Sequence, residues 1–135
     1  MILIVEDSPE TAEILARLLT QRGIASVVMS GTKEAFGYLE SLHRSDLIIL
    51  DMELPMMEGL DCLSAIRANL QWNDIPVLMY SADSKPGQCD AAHRLGAQEF
   101  INKSCSWEKF LGTIRKYASS ADRPAGENNF CNFAG

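Results

Sequence analysis

Apolar runs of strand length alternate along this chain with segments of helical spacing. Ile2-Leu3-Ile4-Val5, Ile24 to Met29, Leu47-Ile48-Ile49-Leu50, Ile75 to Tyr80 and Phe100-Ile101 are the strand-like runs. Between the first two, Ser8 can cap a helix with Pro9 at its first position, and Ile14, Leu15, Leu18 and Leu19 form an apolar stripe that stops at Gly23. A second helix is predicted over Thr32 to Leu42, with Ala35, Phe36, Leu39 and Leu42 on one face, and a third over Gly59 to Leu70 through Leu60, Leu63 and Ile66. Asn73-Asp74-Ile75-Pro76 restarts the chain as a strand. A fourth helix is predicted from Pro86 to Leu95, stopping at Gly96. In a last helix, capped by Ser106, the buried side is Phe110, Leu111, Ile114 and Tyr117.

Strand and helix in strict alternation favour parallel βαβ units over a meander. Right-handed crossovers then put helices on both faces of one twisted sheet, and the common small version has strand order 2-1-3-4-5. The expected fold class is therefore α/β: a doubly wound, five-stranded, flavodoxin-like (βα)5 sheet. Ligands of such sheets bind beyond the carboxyl ends of the strands where the order reverses, here between the first and third strands.

What stands at those strand ends is the chemically informative part. The first strand runs into Glu6-Asp7, the third into Asp51, the fourth into Ser81 and the fifth into Lys103. Glu6, Asp7 and Asp51 brought together repel one another unless a proton or a cation intervenes. Magnesium suits the set, because it takes oxygen ligands and commonly uses one or two carboxylates plus a phosphate oxygen. Asp7 and Asp51 are the carboxylates assigned to it. Asp51 keeps an oxygen with which to attack phosphorus, Lys103 can neutralise the transferred group, and Ser81 can donate a hydrogen bond to it.

Composition narrows the class further. The 135 residues suffice for one domain, and 47% apolar with 22% charged content is that of a globular chain with no run long enough to span a membrane. The start lacks the features of a signal peptide, so a cytoplasmic location is expected. Cys62, Cys89, Cys105 and Cys131 have no metal or redox spacing and are expected as reduced thiols. A net charge of -6 without a basic cluster argues against direct nucleic-acid binding. Residues 119 to 135 have linker composition and are expected to form a flexible tail after a domain of residues 1 to 118.

Together, Glu6-Asp7, the stretch from Asp51 to Gly59, Ser81-Ala82 and Lys103 resemble the receiver domain of two-component response regulators, of the chemotaxis-regulator kind, over about residues 1 to 118. The resemblance implies that Asp51 accepts a phosphoryl group from a sensor histidine kinase or a histidine phosphotransfer protein. It also implies magnesium on Asp7, Asp51 and the backbone carbonyl of Glu53, with Glu6 acting through bound water. Ser81 and Phe100 would be the switch residues. They would reshape a surface of the fourth helix, fifth strand and fifth helix for a downstream protein or a second copy. Such a protein catalyses only its own phosphorylation and dephosphorylation.

The chain departs from the family pattern in four ways. Glu6 stands where aspartate is commoner, Phe100 where tyrosine is frequent, and Ser104 where proline usually follows the lysine. At Ser104 a cis peptide is disfavoured by about 2.5 to 4 kcal/mol. Glu53 and Asp83 are acids at positions that influence how water reaches the phosphoryl group. Met52, Met56 and Met57 are expected to pack rather than ligate, and His43 and His93 to lie on the surface. Competing readings are a phosphorylation-independent interaction module, a small aspartate-nucleophile phosphatase and a flavin carrier. The phosphatase would carry its nucleophile after the first strand, and Glu6-Asp7 would repel a flavin's phosphate.

Overall fold

The structure is a computed structural model that describes residues 1–41, 45–54, 59–82 and 86–118. Five parallel strands, β1 (Ile2–Val5), β2 (Ser26–Met29), β3 (Leu47–Asp51), β4 (Val77–Ser81) and β5 (Glu99–Asn102), form one sheet in the order β2-β1-β3-β4-β5. Helices α1 (Pro9–Gln21), α2 (Thr32–Glu40), α3 (Gly59–Ala68), α4 (Pro86–Arg94) and α5 (Trp107–Ala118) connect and follow them. The expected fold class and strand order are those observed.

Strands buried on both faces must be apolar throughout, and alternation then divides them between two cores. Leu3, Val5, Ile48, Leu50, Val77, Met79 and Phe100 pack with Ala35, Leu39, Cys62, Leu63, Ile66 and Ala92 of α2, α3 and α4. Ile2, Ile4, Leu47, Ile49, Leu78, Tyr80 and Ile101 pack with Leu15, Leu19, Phe110, Leu111, Ile114 and Tyr117 of α1 and α5.

Several boundaries differ from the sequence expectation. The amide of Ile24 donates to the Leu19 carbonyl, so it closes α1 at Gly23 (φ 75°), and β2 begins only at Ser26. Ile14 is not in the buried stripe. Ala12, Leu15 and Leu19 define the inward face of α1, and Ile14, turned about 100° from Leu15, is 54% exposed. α3 ends at Ala68, and Leu70 lies in the following turns, 88% exposed. β5 extends one residue further at each end than its apolar pair. Cys62 and Cys105 are free thiols as expected, whereas Cys89 is disulfide-bonded, contrary to expectation. Met52 is buried in the core and His93 is exposed. Leu42, His43, Met56, Met57, Asp83, Cys131 and the expected tail, 119–135, lie outside the described residues. No helix of the described residues is long and apolar enough to cross a membrane.

At the end of the sheet remote from Asp51, Arg67 of α3 donates to the carbonyls of Gly96 (3.0 Å) and Ile75 (2.8 Å) and to Gln98 Oε1 (2.9 Å), which also accepts from the Val77 amide (2.7 Å). This side chain ties the entrances of β4 and β5 to α3. Arg67→Ala would strand carbonyls inside the protein, so a loss of about 2 kcal/mol in unfolding free energy is expected in urea titrations.

Candidate functional site

The site is assembled by the sheet register. Val5 pairs with Leu50, so Glu6 and Asp51 leave adjacent strands at the same level. Asp51 pairs with Tyr80 and Ser81 with Asn102, and the ladder continues through Lys103 N to Ser81 O (2.8 Å). Two carboxylates, a hydroxyl and an ammonium thus converge because four strands stop in step. Asn102 Oδ1 accepts from the Ser104 amide at 2.7 Å, a tight turn that directs Lys103 back over the sheet end, and no cis peptide is present among the described residues.

Close approach is also needed on the other side of Asp51. The amide of Gly59 donates to Met52 O at 3.0 Å, and a Cβ on Gly59 would lie 2.4 Å from the Asp51 carbonyl oxygen and 2.7 Å from Met52 Cα. Only glycine lets the start of α3 sit against the end of β3 in this way.

Ligand oxygens of Glu6, Asp7 and Asp51 all lie within 4.8 Å of one another; Glu6 and Asp51 are buried and Asp7 is exposed. Lys103 Nζ stands 3.1 Å from Asp51 Oδ1 and 3.6 Å from Glu6 Oε1. The Glu53 amide donates to Asp51 Oδ1 at 3.0 Å, and Ser81 Oγ donates to Glu53 Oε1 at 3.1 Å. All the expected site residues are therefore in one place apart from Phe100, which is 1% exposed and already inside the core beneath β5. Tyr80 and Asn102 were not recognised in the sequence. Tyr80 reads there as one more apolar strand position, yet its phenol donates to Glu6 Oε1 and its ring lies 4.8 Å from Lys103 Nζ. Beside them a groove of about 220 Å³ opens between α1 and α5, lined by Ile14, Trp107, Phe110 and Cys105 among others.

The crowding shows in the acidities. Burial first, then the hydrogen bond and charge of Asp51, push Glu6 from its ordinary 4.5 up to about 7. Burial alone would raise Asp51 too, but the hydrogen bond from Glu6, the Glu53 amide and the Lys103 charge bring it below its usual range. Burial and the neighbouring Asp51 raise Glu53. Burial would lower Lys103, and the surrounding carboxylates outweigh it and hold the ammonium above its ordinary value. Among the described residues the Lys103 ammonium faces Glu6, Asp51 and Glu53, and oxygens of Glu6, Asp7 and Asp51 converge. This donor set fits a hard divalent cation such as magnesium.

Residues 2–115 match the response regulator receiver domain family. The chain belongs to that family. Among curated relatives, this receiver is 32% identical over 140 residues to the luminescence regulatory protein LuxO of Vibrio campbellii, spanning 97% of this chain but only 30% of that protein's length. It is 28% identical to the polar-differentiation response regulator DivK of Brucella anthropi, covering 89% of this chain and 97% of DivK. Among solved structures, a signal receiver domain of a signal transduction histidine kinase from Syntrophus aciditrophicus superposes with a TM-score of 0.81 at 31% identity, over 94% of this chain and 96% of that one. The chemotaxis protein CheY4 of Vibrio cholerae gives 0.80 at 25% identity, over 86% and 96%.

The acidity of Glu6 carries a stability prediction for the metal-free receiver. Between about pH 4.5 and 7 the native state holds a proton that the unfolded state has released, so the contribution of Glu6 is full below the unfolded value and is lost as pH rises through the folded one. Unfolding free energy in chelator should fall across that window. In Glu6→Gln, which cannot titrate, the fall should be shallower, leaving the part due to Glu53.

Proposed function

We propose that this receiver takes a phosphoryl group onto Asp51 from the phosphohistidine of a sensor histidine kinase or histidine phosphotransfer protein and uses it to switch a protein-binding surface. The observation that carries this reading is the Lys103 ammonium 3.1 Å from Asp51 Oδ1, at a point where Glu6, Asp7 and Ser81 also converge. Lys103 and the Glu53 amide both sit on Oδ1, so Oδ2 is the oxygen we assign to attack. An oxygen–phosphorus bond forms as the phosphorus–nitrogen bond of the donor breaks, and the electron pair returns to the imidazole.

Asp7, Asp51 and the backbone carbonyl of Glu53 are the proposed magnesium ligands, with Glu6 acting through bound water. The ion would supply charge neutralisation between the carboxylates and the incoming phosphoryl oxygens. Lys103 would also neutralise the incoming oxygens and orients the acceptor carboxylate. Ser81 is committed to Glu53 Oε1 in this structure. A phosphoryl group on Asp51 would compete for that hydroxyl, and release of Glu53 would begin the switch. Phe100 packs in the core one strand away from Ser81, and Glu99 beside it accepts from Tyr117 of α5 at 2.7 Å. This connection supports α4, β5 and α5 as the output face, toward a protein partner or a second copy.

The receiver unit proposed is residues 1 to 118 with 119 to 135 as a linker or tail, acting in the cytoplasm and without direct contact to nucleic acid. Because the chain spans 30% of the LuxO relatives, any wider activity of a larger protein lies outside this proposal.

Incubation with acetyl phosphate and magnesium should give one phosphoryl adduct by intact mass, absent in Asp51→Asn. An adduct that persists in that variant would move the acceptor elsewhere, and none in the parent would favour the phosphorylation-independent module. Asp7→Ala should cut magnesium affinity at least about tenfold, or about 1.4 kcal/mol, with the fold retained, as read by calorimetric titration.

A further inference from the structure

Tyr80 has no part in the phosphoryl-transfer scheme, yet it touches two charged members of the site. It occupies the β4 position immediately before Ser81, on the sheet face covered by α1 and α5, and is 3% exposed. Its hydroxyl donates to Glu6 Oε1, while the amide of Ser8 donates to Glu6 Oε2 at 3.1 Å. The two oxygens of Glu6 are thus held by separate donors, one from the sheet and one from the cap of α1. The Tyr80 ring also lies beneath Lys103, whose Nζ is 4.8 Å from the centroid, and the ring is itself packed against Phe110 at 6.3 Å.

Glutamate carries its carboxylate one methylene further from the backbone than aspartate and so has one more torsion to fix. Lysine has four. A buried phenol braced by Phe110 supplies a fixed donor for the first and an electron-rich face for the second. We propose that Tyr80 is a positioning residue of this receiver: it pins the longer Glu6 carboxylate where it can serve the magnesium shell, and it provides the platform from which Lys103 reaches Asp51. The proposal deepens the phosphoryl-transfer reading and rests on it. Tyr80 touches no reacting atom and acts only through Glu6 and Lys103.

A double-variant cycle tests the pairing. Parent, Tyr80→Phe, Glu6→Asp and the combined variant are titrated with magnesium by calorimetry, with a thermal melt of each and the rate of adduct formation from acetyl phosphate. Tyr80→Phe keeps the ring and removes the hydroxyl, so magnesium affinity should fall about tenfold, the size of one hydrogen bond to a charged group. In the Glu6→Asp background the shorter carboxylate is out of the phenol's reach, and the same change should cost less than about twofold. Equal losses in both backgrounds, or none in the parent background, would overturn the proposal, since a purely structural tyrosine contributes whatever residue stands at position 6. Tyr80→Leu, carried in parallel, removes the platform as well and should slow adduct formation beyond Tyr80→Phe. A folded Leu variant with parental affinity and rate overturns the proposal even if the Phe variant fails to fold. Lack of any adduct in the parent would instead refute phosphoryl transfer, while the magnesium cycle still reads the Tyr80–Glu6 pairing separately.

Discussion

Glu6 and Asp51 emerge side by side from β1 and β3, nearly excluded from water, with Asp7 within 4.8 Å. Placing carboxylates this close inside a protein is unfavourable unless donors, protons or cations compensate. The donors around the pair answer that constraint. Lys103 lies 3.1 Å from Asp51, the Glu53 and Ser8 amides donate to Asp51 and Glu6, and the Tyr80 phenol donates to Glu6. Even so, Glu6 is pushed toward the protonated form. The arrangement is compensated but not neutral, which is the condition for binding a small divalent ion and then an anionic group beside it.

The fold supplies the rigidity that makes such crowding possible. Ile48, Ile49 and Leu50 precede Asp51 with no exposure to solvent, and Leu3, Ile4 and Val5 precede Glu6 in the same way. Both strands are clamped between the α2–α3–α4 core and the α1–α5 core. The site therefore cannot relax by letting the strand ends drift apart. Gly59 closes the remaining side, where any Cβ would collide with the backbone of Asp51 and Met52.

The strands and their order were legible because parallel strands buried on both faces must be continuously apolar, and because their polar ends lie at one edge of the sheet. Asp51 after four apolar residues and Lys103 after Phe100-Ile101 are read directly from that rule. Tyr80 was hidden for the same reason: a tyrosine in a strand reads as core, and only the structure shows its hydroxyl meeting Glu6. Ile14 misled because a stripe of four apolar residues is wider than the face α1 buries, and the spare position turns toward the groove beside Trp107. Arg67 gave no signal, since its partners are backbone carbonyls 6 to 29 residues away in sequence and the Gln98 side chain. The late start of β2 escaped because Ile24, apolar like a strand residue, spends its amide on ending α1.

The carboxylate crowding at the ends of β1 and β3 fits a divalent cation. The direct measurement is the melting temperature of the chain near neutral pH with and without magnesium chloride, against sodium chloride at matched ionic strength. Because only the folded state gathers Glu6, Asp7 and Asp51, magnesium should raise the melting temperature in proportion to the logarithm of its concentration once saturating, and the matched sodium salt should not. Equal effects of the two salts, or a magnesium effect undiminished in Asp7→Ala, would contradict the account.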